Sequence, residues 1–382
     1  MNNLINYVKW RGDLSFSASP INEVDALIFS ELVYLDFSGY TEKEPVPISA
    51  VIKKYFKDKR NKVYKDYIIK DFYMSIGKEI TKLLAVTGHF ERFSNILLAE
   101  YEEFACETQP IQFAACTFQF EKDKIFVAFR GTDNTIYGWK EDCMIALSDN
   151  IPSQLKAAEY LCRVAAKYPD CKIYIGGHSK GGNLAIYSAV NADKSVKSRI
   201  ERVYNNDGPG FSLSFIESDN YRELSSRITT FVPQSSFIGM LLEHDEDYII
   251  VKSENHSFWQ HNAFSWNVIG NSFVHLKEDT KDIRFAEKNM KELLAGLSTE
   301  EKKLIIDSLF QIMEEGGKVT FDDIRKAGIK NIPSMIKAFN KIDNESKKAL
   351  SNGLTLLTRL SIKNRYEVSR SSNDKEKNKL KP

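Results

Sequence analysis

Ser179 lies at the centre of Gly177-His-Ser-Lys-Gly181, a G-x-S-x-G pattern with glycine on both sides of a hydroxyl. Ile173 to Ile175 before it is a short apolar run, and Asn183 to Val190 after it is Ala-rich and apolar. Strand, tight turn and helix are the context in which such a serine becomes a nucleophile. The turn forces the serine backbone into strain and pushes its hydroxyl outward, while Gly177 and Gly181 remove β-carbons that would collide as strand and helix close. Amides opening the following helix favour negative charge.

A serine hydroxyl needs a base, a group that orients the base, and donors for an oxyanion. The chain has six histidines: His89, His178, His244, His256, His261 and His275. His261 follows the last expected core strand, in Gln260-His-Asn-Ala-Phe-Ser-Trp266, where the base belongs when serine, acid and histidine run in that order. His256 is its rival, and His178, inside the elbow, reads as packing. Asp207 follows the strand after the elbow. Asp207-Gly-Pro-Gly210 serves equally as acid-bearing strand end and as turn. Glu243, Asp245 and Asp247 read as a solvated loop. One oxyanion donor is the amide of Lys180, and the other falls in Gly131-Thr132, where the Thr132 hydroxyl could add a further donor.

The elements that must hold these groups follow from periodicity. The spacing predicts an irregular arm over 1–20, a helix from Asn22 to Tyr34, and helices over Ile48 to Phe56, Asp66 to Ile76, Lys78 to Val86 and Ser94 to Glu103. Ile111 to Phe120 and Ile125 to Phe129 alternate as a strand pair about a Glu121-Lys-Asp-Lys124 turn. Asp133 to Leu147 reads as irregular and Pro152 to Tyr168 as a helix. Strands are expected at Val203-Tyr204, Arg227 to Val232 and Tyr248 to Val251. Strands alternating with helices give a mainly parallel sheet covered on both faces, an α/β fold with chemistry at the carboxyl ends of its strands.

The expected organisation is an N-terminal helical segment over 1–105, an α/β core over 106–279, a C-terminal helical region over 280–365 and a disordered tail over 366–382. In the C-terminal region Ser298-Thr-Glu-Glu301 reads as a capping box, Gly316-Gly317 as a helix end, Thr320 to Asp323 as another start and Ser346 to Ile362 as the last helix.

Apolar residues make up 42% of the 382 and charged ones 27%, the balance of a globular protein, and a net charge of +1 gives no field for nucleic acid. Five cysteines with no CxxC pair suggest reduced thiols. No secretory leader is visible and no apolar run approaches the about 20 residues of a membrane span, so a cytoplasmic protein is expected. No ligand cluster implies a metal or an organic cofactor. The Arg11-Gly-Asp13 triplet reads as chance.

Phe129-Arg-Gly-Thr132, then Trp139 and Asp142, then Gly177-His-Ser-Lys-Gly181 together resemble the class 3 lipase branch of the α/β-hydrolases over about residues 110–265. Trp10-Arg-Gly-Asp-Leu-Ser-Phe16, the longer elbow, Asp207-Gly-Pro-Gly-Phe211 and Gln260 to Trp266 also resemble a family of uncharacterised bacterial hydrolase-like proteins. The lipase resemblance implies Ser179 as nucleophile, Thr132 and Lys180 as oxyanion donors, a lid-like segment over Ile136 to Trp139, and Asp142 supporting the lid base. It departs at the acid: Ser235 or Ser236 stands where the family carries Asp, so either Asp207 substitutes or a Ser–His dyad remains.

The expected activity is acyl-ester cleavage by a lipase- or esterase-type serine hydrolase through an acyl-enzyme on Ser179, with His261 as base, Asp207 as acid, and Tyr137 and Trp139 against a small-molecule or lipid acyl group. The alternative is an inactive α/β-hydrolase fold kept as a binding or scaffold module, with the C-terminal helices facing an unidentified protein partner.

Overall fold

A computed structural model of the chain describes residues 2–41, 44–58, 72–106, 111–133, 136–145, 147–148, 150–234, 236, 238–239, 242–246, 248–276, 288–289, 291–315 and 332–379. Among the described residues nine strands form one sheet whose spatial order follows the chain. They are β1 (Val46–Pro47), β2 (Leu97–Cys106), β3 (Ile111–Glu121), β4 (Lys124–Phe129), β5 (Lys172–His178), β6 (Ile200–Asn206), β7 (Ile228–Pro233), β8 (Ile249–Val251) and, last, His275–Leu276. Between β8 and that closing strand, Val268–Ile269 and Ser272–Phe273 form a separate ribbon. The five strands β4 to β8 run parallel, flanked by antiparallel strands at both edges. This is the mainly parallel α/β sheet expected from the alternation of strands and helices.

Two cores explain why β4 is continuously apolar. Ile125, Val127 and Phe129 face one side and Phe126 and Ala128 the other, and all are fully buried. The first side is covered by the Pro152–Lys167 and Lys180–Val190 helices, the second by the N-terminal helices Leu4–Arg11 and Glu23–Leu32. Asn22 caps Glu23–Leu32 through its side chain, reciprocated by Asp25. Asp25 is also ion-paired with Arg92, both side chains fully buried. Arg92 Nη1 takes the carbonyls of Leu14 (3.1 Å) and Ser19 (2.9 Å), which pins the Trp10-to-Phe16 stretch to the body.

Several local expectations give way. The stretch 1–20 contains the Leu4–Arg11 helix. Ser94 to Glu103, expected as a helix from its spacing, is mostly β2, paired with β3 across a bulge at Ala99/Glu102 where Glu100 has φ 53°. A neighbouring strand's open edge outweighs helix propensity, which is worth only tenths of a kcal/mol per residue. β1 and β2 therefore belong to the sheet although they lie before residue 106. The two helices expected over Asp66 to Val86 are one, Phe72–Thr87, and part of the first lies outside the described residues. Asp133 to Leu147 contains a helix, Ile136–Met144.

In the C-terminal region the Ser298 capping box is present, with Glu301 N–H to Ser298 Oγ at 3.1 Å and Ser298 N–H to Glu301 Oε2 at 3.0 Å, opening the helix Thr299–Glu315. Lys140 pairs with Asp307 at 2.9 Å, tying that helix to Ile136–Met144. The last helix runs Asn344–Lys379, through most of the stretch expected to be a disordered tail. Gly316-Gly317 and Thr320 to Asp323 lie outside the described residues. Among the described residues no helix is long and apolar enough to cross a membrane.

Candidate active site

Ser179 stands between β5 and the Lys180–Val190 helix with φ 59° and ψ −134°, a conformation that costs a non-glycine residue about 1–3 kcal/mol. Its amide bonds Asn206 O at 2.9 Å and its carbonyl accepts from Gly182 N–H at 2.9 Å, so both ends of the turn are locked. A β-carbon on Gly177 would lie 2.1 Å from Gly181 C, and one on Gly181 would lie 2.2 Å from Phe129 O. The flanking glycines are a steric requirement of the elbow, as expected. The serine itself is 8% exposed, so the outward hydroxyl sits at a covered rim and not on an open surface.

Asp207 follows β6, the strand next to the elbow strand, and is fully buried. Its φ of 56° is the turn geometry that Asp tolerates, and its carboxylate is also the partner of an imidazole, so turn and acid are one feature. Oδ2 lies 2.6 Å from His261 Nδ1, and Oδ1 accepts the Gly239 amide at 3.1 Å. The Gly239 carbonyl in turn meets His244 Nε2 at 2.9 Å. His244 faces Glu246, whose carboxyl is held down at about 2 against its burial by hydrogen bonds from His244 and Thr230.

His261 ends the Ser257–His261 3₁₀ turn, delivered after β8. His256, its rival, precedes that turn. The Ser236 hydroxyl accepts from the Gly239 amide at 3.1 Å and bears no acid, while Ser235 lies outside the described residues. The position where the lipase pattern carries Asp is thus occupied by a loop that serves Asp207.

On the other flank, Thr132 follows β4. Its hydroxyl donates to Asp142 Oδ1 at 2.6 Å, so the single proton is committed and the hydroxyl expected as a further oxyanion donor is engaged elsewhere. Burial pushes the Asp142 carboxyl up, opposed by Lys180 and by the Thr132 bond. The Lys180 side chain had no expected role, yet it is buried with its ammonium bonded to Glu141 Oε2 (2.8 Å) and Gln112 O (3.0 Å). Glu141 also accepts the amides of Gln112 (3.0 Å) and Ser153 (3.1 Å), and Gln112 Oε1 accepts that of Asp133 (2.9 Å). One buried ion pair therefore joins the elbow to the loop after β4 and to the Ile136–Met144 helix. The available signal was a lysine inside an otherwise uncharged elbow helix, downstream of the adjacent acids Glu141 and Asp142.

The side chains of Tyr137 and Trp139 lie outside the described residues. Trp266 is fully buried core, its indole N–H on Gln260 O at 2.9 Å, and Trp259 is exposed. Among the described residues no group of three or more His, Cys, Asp or Glu side chains could hold a metal ion.

The chain is similar to solved lipases. Lip2 lipase from Yarrowia lipolytica is 13% identical over 50% of this chain and 73% of its own, with a TM-score of 0.33. M37 lipase is 15% identical over 58% and 70% with a TM-score of 0.34. The lipase from Rhizopus microsporus var. chinensis is 15% identical over 58% and 87% with a TM-score of 0.33. No curated protein matches. The family model described as Mbeg1-like matches residues 87–311, more than half of the chain, from β2 across the whole elbow and into the C-terminal helices; the protein belongs to the Mbeg1-like family.

Proposed function

We propose that the protein is a serine hydrolase of lipase or esterase type. Ser179 Oγ attacks an acyl carbonyl while His261 Nε2 takes its proton. Asp207 holds the Nδ1–H of His261, fixing the tautomer and stabilising the imidazolium that forms. The amides of Thr132 and Lys180 receive the oxyanion, each such donor being worth about 2.7–4 kcal/mol of barrier. His261 then protonates the leaving alcohol, and water, activated by the same imidazole, releases the acyl group. The observation that carries this reading is the 2.6 Å contact between a fully buried Asp207 and His261 Nδ1, at the end of the strand beside a strained serine. A buried carboxylate whose other oxygen takes the Gly239 amide orients a base better than a turn requires.

The substrate class is a small-molecule or lipid acyl ester, with Tyr137 and Trp139 against the acyl chain, and the site is cofactor-free. A scaffold without catalysis drew its support from a missing acid, which the Asp207 contact weakens. Turnover of p-nitrophenyl esters of rising chain length, run beside an acyl-CoA and a peptide, tests the reading. Ester cleavage lost in Ser179→Ala supports it; no turnover on any substrate, or turnover that survives the substitution, counts against it.

A further inference from the structure

A second imidazole and a second buried acid stand behind His261. The His178 ring stacks on the His261 ring, centroids 4.6 Å apart and 29° between planes. Its Nε2 lies 2.9 Å from the backbone oxygen of His261. A carbonyl only accepts, so Nε2 carries a hydrogen. Its Nδ1 lies 3.2 Å from Glu31 Oε1, on the Glu23–Leu32 helix, and both side chains are buried. That oxygen has no hydrogen-bond partner among the described residues, the imidazole included, so the 3.2 Å contact is a close approach of two buried groups and not a hydrogen bond.

A neutral ring with its hydrogen on Nε2 shows Nδ1 only as a lone pair, and an ionised carboxylate shows only lone pairs. Facing each other they would repel, so one of the two must carry a proton. On Nδ1 it would make a buried positive ring stacked on the ring that has to become positive in the reaction. On Glu31 it leaves both partners uncharged. Burial, and Glu79 from the Phe72–Thr87 helix, push the Glu31 carboxyl up to about 8; burial, and then His261, hold His178 well below its usual value. The remaining groups facing the pair are Tyr34, whose hydroxyl is 3.4 Å from His178 O and is kept protonated by burial, and Asp207 through His261.

We propose that Glu31 and His178 form a second acid–histidine pair, uncharged in the working state, that positions His261 through its backbone carbonyl and its ring face. The inference rests on the hydrolase reading above. Both are positioning residues: neither touches the reacting atoms. A neutral ring stacked on His261 tolerates its change of charge, while a hydrogen bond to its carbonyl keeps the imidazole in register with Ser179.

The full chain labelled with ¹⁵N-histidine gives a readout free of activity. His178 is expected as the neutral Nε2–H tautomer from about pH 6 to pH 8, a range in which an ordinary histidine titrates. An Nδ1–H tautomer, or a midpoint inside that range, overturns the proposal. The kinetic arm uses the esters above. His178→Phe keeps the stacked ring and loses the bond to His261 O; kcat is expected to fall about 10²-fold with KM within about threefold, as for a small misplacement of a catalytic group. Glu31→Gln keeps an uncharged polar group of the same shape against Nδ1 and should stay within about threefold of wild type, while Glu31→Ala falls at least about tenfold. Equal activity in Glu31→Ala and wild type, or failure of Glu31→Gln to rescue, refutes the pair while leaving the hydrolase intact. A wild type that turns over nothing removes the hydrolase reading and this inference with it. Should His178→Phe fail to fold, the tautomer in the wild type decides.

Discussion

The two flanks of Ser179 solve the same problem, holding a polar group still inside a protein, in opposite electrical ways. On the oxyanion flank Lys180 and Glu141 are a buried ion pair, bonded at 2.8 Å, with backbone groups taking up their remaining capacity. On the histidine flank the outer pair, Glu31 and His178, 3.2 Å apart, is read as neutral, its proton on Glu31. The first flank presents amides whose charge never changes, so fixed charges behind them do no harm. In the proposed mechanism the second supports an imidazole that gains and loses a proton in each cycle, and a fixed positive charge stacked on it at 4.6 Å would oppose that step. Rigid charge suits a site that only receives charge on substrate; a neutral clamp suits one that must itself ionise.

The comparison can be broken most forcefully at Asp207. Asp207→Asn should lower kcat about 10⁴-fold on the best ester if the acid orients His261. A loss below about threefold would leave a Ser–His dyad and make the buried contact a turn ornament. Next comes the ion pair. Lys180→Met leaves the Glu141 carboxylate buried without its cation and should destabilise the fold by about 3–5 kcal/mol in denaturant titrations. Combining it with Glu141→Leu should recover part of that loss, which a purely steric role for Lys180 would not produce.

A pH effect sharpens the contrast between the flanks. An unfolded Glu31–His178 pair holds one proton between the ordinary glutamate and histidine values and none above about 6.5, whereas the folded pair keeps one up to about 8. Through that window the folded state binds more protons, so stability falls as pH rises, at up to about 1.4 kcal/mol per pH unit. Glu31→Gln cannot titrate, and the gap between it and wild type should move in its favour from pH 6.5 to 8; a constant gap would place the proton elsewhere. The smallest effect is expected at Thr132→Val. With its hydroxyl committed to Asp142, losing it should cost less than about tenfold in kcat, against the 10²–10³-fold typical of a lost oxyanion donor.

How much of this could be read from the chain depends on how local each cause is. The elbow was legible because Gly177, Ser179 and Gly181 carry a steric requirement that acts within a few residues. His261 was legible by its place after the last parallel strand, and Asp207 only as one of two equal readings, since turn and acid share a residue. β2 was illegible: Ala, Leu and Glu favour a helix, and the hydrogen bonds that override them come from β3. His178 was read as packing because what gives it work is Glu31, on a helix far upstream. Lys180 was credited only with its amide, since the partner of its side chain arrives on the Ile136–Met144 helix.

The most direct measurement is intact-mass and peptide analysis after treatment with a fluorophosphonate. One adduct per chain is expected, mapped to the peptide containing Ser179, absent in Ser179→Ala and formed far more slowly in Asp207→Asn. A wild type that stays unmodified, or an adduct that persists when position 179 has no hydroxyl, would contradict the account at its centre.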